Sequence, residues 1–167
     1  ATPLHAVIST DEEALPLAAL IAKALGLPHN PMAAIAATQN KSLLRAILAK
    51  AKIKTPKVAC YAIADSTDAI SENVQYPCVL KPIHLSGSRG VIRADTKEQF
   101  KSAFERITQI LSDPEVARRG KEGATTILVE SFIAGEEVAV EGLLQNGQLT
   151  VLAIFDKPDP LNGPFFE

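Results

Sequence analysis

The chain has 167 residues, enough for one domain with a real core or for two small lobes. Its 47% hydrophobic and 22% charged residues describe a globular protein and exclude a disordered one. With 17 Lys+Arg against 19 Asp+Glu the net charge is -2, so no general basic excess exists for nucleic acid, and no apolar run approaches the ~18 residues that would make a membrane span.

Leu4 to Thr10 is a short apolar stretch that runs into Asp11-Glu12-Glu13. Thr10 and Glu13 have capping-box spacing, and the three acids suit the positive end of a helix dipole. Leu17, Leu20, Ile21, Ala24 and Leu25 recur at helical spacing, Gly26 is placed to stop them, and Pro16 puts the regular start nearer Leu15. Asn30-Pro31 opens a short alanine-rich helix. Asn40 caps another, carrying Leu43, Leu44, Ile47 and Leu48 to about Ile53, before Thr55-Pro56 breaks the chain.

From Lys57 the period changes. Val58 to Ala62 is a strand, Ser66 to Asn73 a short helix, and Tyr76 to Leu80 a strand closed by Lys81. A second strand follows at Val91-Ile92. A helix then runs from about Thr96 to Leu111 with Phe100, Ala103, Phe104, Ile107 and Leu111 on one face. Residues 112–124 have the composition of an exposed, mobile connection. Thr126 to Glu130 is one strand. Glu137 to Gln145 and Gln148 to Phe155 form a hairpin about Asn146-Gly147. Alternation puts Glu137, Ala139 and Glu141 on one face of it, either exposed or walling a polar site.

Cys60 and Cys78 fall in strands without metal-type spacing, which predicts buried reduced thiols and fits a cytoplasmic protein; no signal peptide is visible. His5 and His29 are incidental, while His84 lies in the loop after Lys81, open to a ligand or to solvent. That loop, Ser86-Gly87-Ser88-Arg89-Gly90, carries most of the chemistry. Glycines let successive amides point one way, and with a lysine and an arginine they make a cradle for phosphates. The same residues also describe an ordinary hairpin tip with solvated cations.

Three features taken together resemble the ATP-grasp superfamily: Asn40-Lys41 at a helix head, Lys81-Pro82 with its Ser-Gly-Ser-Arg-Gly loop, and the run from Val129 to Glu141. Asp156-Lys157-Pro158 and Gly163-Pro164-Phe165-Phe166-Glu167 look like the carboxylate–amine ligases that include L-amino-acid ligases. The resemblance implies an α+β fold. Residues 1–55 would be the end of an N-terminal Rossmann-like lobe with connecting helices, its last strand and helix at 4–25. Residues 56–125 would be a lid, and 126–167 the start of a second, mainly antiparallel lobe. It further implies that ATP lies between lid and second lobe. Lys41 and Lys81 would touch its phosphates, and the loop Ser86, Gly87, Ser88, Arg89 and Gly90 would close over them. Glu130 would sit at the adenine end beside backbone groups of Ser131 and Ile133, and Glu137 would hold the ribose.

Such enzymes use Mg²⁺, but the Glu and Asn motif that binds it is expected downstream of Glu167, so this chain supplies no metal ligand and no assigned catalytic residue. The chain is accordingly expected to be a piece of a ligase, inactive alone, whose carboxylate and amine partners resemble amino acids; a homo-oligomer is compatible with it. Two alternatives remain. One is a bicarbonate-using relative of carbamoyl-phosphate synthase or biotin carboxylase, and the other a non-catalytic nucleotide-binding module. A P-loop NTPase is excluded, since its glycine–lysine motif is absent.

Overall fold

The computed structural model describes residues 3–118 and 124–157. Its helices begin where short polar side chains can occupy the first free amides. Asn40 Oδ1 accepts from Leu43 N at 3.0 Å, Ser66 Oγ from Ala69 N at 3.4 Å and Thr96 Oγ1 from Gln99 N at 3.3 Å. The helices are α1 (Leu15–Ala24), α2 (Met32–Thr38), α3 (Lys41–Lys50), α4 (Thr67–Asn73), α5 (Lys97–Ser112) and α6 (Pro114–Ala117). At the front the cap is Asp11, not Thr10: its carboxylate accepts from Glu13 N at 2.7 Å and starts a 3₁₀ turn, Glu12–Ala14, that leads into α1. Pro16 is harmless in the first turn, where its missing N–H has no partner to lose.

The strands are β1 (Val58–Ala62), β2 (Cys78–Pro82), β3 (Ile92–Ala94), β4 (Thr126–Ser131), β5 (Val138–Gln145) and β6 (Gln148–Asp156). The first four form one antiparallel sheet in the order β1-β4-β2-β3. β4, where the sequence reading opens its second unit, pairs with both β1 and β2, with Glu130 opposite both Val58 and Val79.

One face of this sheet is apolar. Cys78, Leu80, Ile92, Ala94, Ile127 and Val129 pack against Ile70 of α4 and Phe100, Ala103, Phe104, Ile107 and Leu111 of α5. Leu80, Phe100, Ile107 and Ile127 are wholly buried, each burial worth ~1.5–3 kcal/mol against exposure. Because side chains alternate, Val79, Lys81, Leu128 and Glu130 must emerge on the other face. There α3 approaches: Lys41 N donates to Ile83 O at 3.3 Å, and Cys60 Sγ donates to Ser42 Oγ at 3.4 Å.

β5 and β6 form a separate hairpin. Asn146 at φ 52° and Gly147 at φ 78° make its two-residue turn, and a register shift lies at Glu141/Gly142.

Several expectations change. Leu4 to Thr10 forms no strand, because an extended segment needs a partner for its amides and none pairs with it among the described residues; Ile8 is 85% exposed. α3 stops at Lys50, short of Ile53. The connection after α5 contains α6, started by the Asp113 carboxylate accepting from Glu115 N at 2.8 Å. Cys78 is buried, but Cys60 is exposed, since β1 is an edge strand whose second face is only partly covered. Gly163 to Glu167 lie outside the described residues.

Candidate functional site

The register of β2 against β4 builds the centre of the site. Lys81 faces Leu128 and Val79 faces Glu130, so Lys81 and Glu130 are diagonal neighbours on the face away from the core. Lys81 Nζ donates to Glu130 Oε2 at 2.5 Å. On the other side Arg45 Nε donates to Oε1 at 2.6 Å, with Nη2 3.4 Å from Oε2. Glu130 is only 3% exposed. Burial pushes its carboxyl up, but hydrogen bonds and charge from Arg45 and Lys81 outweigh that and hold it below the ordinary range.

Lys41 is the second cation. Its ammonium donates to Leu85 O at 2.5 Å and lies 3.4 Å from Ile83 O. Among the described residues its hydrogen-bond partners are carbonyl oxygens and no carboxylate. Burial lowers its pKa, as does the charge of Lys81, against weaker support from Glu12 and Glu130.

These groups line a cleft of about 560 Å³, together with Ser86, Gly87 and Ser88 of the loop, Glu130 to Ile133, Glu137 and Lys157. Gly87 at φ 61° and Ser88 at φ 52° form the loop's turn, and Val91 N donates to Ser88 O at 3.0 Å. Arg89 and Gly90, both assigned to the phosphates from the sequence, do not line the cleft. Arg89 Nε lies 3.4 Å from Ser86 O, and Gly90 packs on Pro82. Ser131 N already donates to Lys57 O at 2.9 Å, so this amide is spent inside the sheet. Ile133 is 64% exposed, and its backbone has no hydrogen-bond partner among the described residues. Glu137 Oε1 pairs with Lys157 Nζ at 2.8 Å. His84 faces the cleft with Nδ1 2.8 Å from Gln39 O, while Glu141 does not reach it. Among the described residues no group of three or more His, Cys, Asp or Glu side chains could hold a metal ion, and Glu130 is committed to two cations, so the residues present do not fit Mg²⁺.

Sequence reasoning missed Arg45. It lies one helical turn beyond Lys41, on the same face of α3, and that spacing was the available signal. It also missed Phe132, whose ring Arg93 covers at 4.1 Å.

Fold and site define an α+β protein with a cation-lined cleft between a helix-backed antiparallel sheet and a following hairpin. A model of the ATP-grasp domain matches residues 74–167, more than half of the chain, and the chain belongs to that family. The L-amino acid ligase from Bacillus licheniformis is 32% identical and superposes with a TM-score of 0.77 over 99% of this chain and 38% of that one. The D-alanine–D-alanine ligase of Bacillus pumilus is 26% identical over 74% of this chain and 33% of its own length. The carbamoyl phosphate synthase large chain of Streptomyces avermitilis is 26% identical over 70% and 11%. The VanG D-Ala:D-Ser ligase from Enterococcus faecalis, 22% identical at a TM-score of 0.59 over 79% of this chain and 36% of that one, shares the fold. The chain thus spans between about a tenth and just over a third of the length of the curated relatives it matches.

Proposed function

We propose that this chain is the ATP-binding part of a carboxylate–amine ligase that works through an acyl phosphate. The observation that carries this is Lys41: a half-buried ammonium, aimed into the cleft by two carbonyl oxygens and set beside Lys81 without a carboxylate of its own. Such a group gains most from an anion, and a compact lysine charge suits phosphate oxygens. Lys41 and Lys81 hold the phosphates, and the turn at Gly87-Ser88 lies over them. The open backbone of Ile133 meets the base edge, and Glu137 accepts from the ribose hydroxyls.

In the reaction a carboxylate oxygen takes the γ-phosphoryl group of ATP, releasing ADP. The amine then attacks the acyl carbon, and phosphate leaves with the formation of the amide. The lysines hold the phosphates in place and offset the charge that passes to ADP, which is the larger part of catalysis for phosphoryl transfer. No step is assigned through Mg²⁺. The likeness to the Bacillus licheniformis L-amino acid ligase and to D-alanine–D-alanine ligase supports amino acids as the carboxylate and amine. A cytoplasmic setting, where ATP is available, is part of the proposal.

The test is calorimetric titration of the chain with ATP and ADP, with Lys81→Ala as the control. Arg45 still neutralises Glu130 in that variant, so it keeps its fold. Saturable binding, weakened by ~10-fold or more in Lys81→Ala, is expected from the loss of one charge-assisted contact. A folded chain that binds neither nucleotide refutes the proposal. The match to carbamoyl phosphate synthase supports a second reading with bicarbonate as the acceptor. Bicarbonate-dependent ATP cleavage by the whole protein, indifferent to amino acids, would establish it.

A further inference from the structure

We propose that Arg45 is a positioning residue for nucleotide: by sharing Glu130 it leaves the positive charge of Lys81 uncancelled toward the cleft. The inference rests on the ATP reading and extends it to Arg45, which lines the same cleft.

Charge and geometry carry it. Glu130 is buried at 3% exposure and accepts on both oxygens, from Arg45 Nε at 2.6 Å and from Lys81 Nζ at 2.5 Å. Two cations on one carboxylate leave a single positive charge. An ammonium has three donors, and only one of Lys81's is used by Glu130. Without Arg45 the carboxylate and Lys81 form a neutral pair, and the inner end of the cleft keeps only Lys41 as unbalanced charge. The guanidinium suits the role because its rigid fork stays charged and fixes the carboxylate in one rotamer. Arg45 comes from α3 and Glu130 from β4, so the contact also aligns the helix that presents Lys41 with the strand pair that presents Lys81. A strut that only joined helix to sheet would act alike on every ligand of the cleft, whereas a charge-positioning residue acts on the phosphates.

The experiment titrates the chain, Arg45→Met, Arg45→Lys, Glu130→Gln and the double variant R45M/E130Q with ATP, ADP and adenosine. In parallel, acetylation of Lys81 by dilute acetic anhydride is followed by peptide mass. Arg45→Met should lose ~10-fold in ATP and ADP affinity and change adenosine by less than ~2-fold, and Arg45→Lys should recover most of the loss. In the Glu130→Gln background the loss of Arg45 should add less than ~2-fold, because the carboxylate it screens is gone. Lys81 should label at least ~3-fold more slowly in Arg45→Met, now bound to Glu130 alone.

Equal losses for adenosine and ATP, an undiminished effect in the Glu130→Gln background, or unchanged labelling would overturn the role of Arg45. If the wild-type chain binds no nucleotide the ATP reading fails by itself, and the labelling still decides whether Arg45 governs Lys81. Should Arg45→Met not fold, Arg45→Lys and the double variant, which leaves Lys81 as the one charge of the former cluster, carry the comparison.

Discussion

Gly90→Ala should destabilise the protein far more than Gly87→Ala, although both glycines sit in the same turn at positive φ, 75° and 61°. A Cβ on either residue incurs the left-handed penalty of ~1–2 kcal/mol. Alanine also narrows the unfolded ensemble, which returns ~0.4–1 kcal/mol. At Gly87 nothing lies within 4 Å of the added carbon, so the net cost there is at most ~1.5 kcal/mol. At Gly90 the carbon would meet Pro82 Cγ at 2.9 Å and Cδ at 3.1 Å. Pro82 is fully buried in β2 opposite Ile127 and its ring cannot swing aside, so overpacking adds ~1–3 kcal/mol. Gly90→Ala should therefore cost about 1–4.5 kcal/mol, a fall in Tm of roughly 2–18 °C for a chain of this size. Urea unfolding followed by far-ultraviolet circular dichroism measures both variants. A Gly90→Ala protein as stable as Gly87→Ala would refute the close approach of loop to strand, and with it the positioning of the turn over the cleft.

Three further outcomes are expected. The folded pKa of Glu130 lies below its unfolded value, so its contribution to stability is complete above the ordinary carboxylate pKa of ~4.3 and is lost as pH falls through the folded value; unfolding free energies in acid should show that slope in the wild type and lack it in Glu130→Gln. Lys41 has a lowered pKa that a phosphate would raise again, so ATP binding in alkaline buffer should take up protons and tighten as pH falls. Calorimetry in buffers of different ionisation enthalpy measures this uptake, and Lys41→Met should abolish it. Native protein should react with a maleimide at Cys60, which is exposed, and not at Cys78, whose thiol burial pushes up to about 12; both should label in urea, and fast native labelling of Cys78 would contradict its place in the core.

Local chemistry was legible in the chain. Asn40, Ser66 and Thr96 announced their helices because a cap acts within three residues, and Asn146-Gly147 announced its turn because few other residues adopt two successive positive φ values. The apolar face of α5 was correct to the residue, since a 3.6-residue period needs no knowledge of the partner. Lys41, Lys81 and Glu130 could be singled out by type and motif, and each of them lines the cleft.

What ran over long sequence separations was not legible. β4 pairs with β2 across 47 residues at Lys81–Leu128 and 51 at Val79–Glu130, yet it inserts between β1 and β2, and nothing in its own residues says so. The same pairing makes Glu130 the shared partner of Lys81 and Arg45, a contact its own neighbours in the chain do not announce. Leu4 to Thr10 had a strand's composition and no partner among the described residues to make it one. Spacing determines what each segment of this protein can become. Only the tertiary structure decided which charges meet, because a buried carboxylate takes its partners from whichever elements packing brings within hydrogen-bond reach.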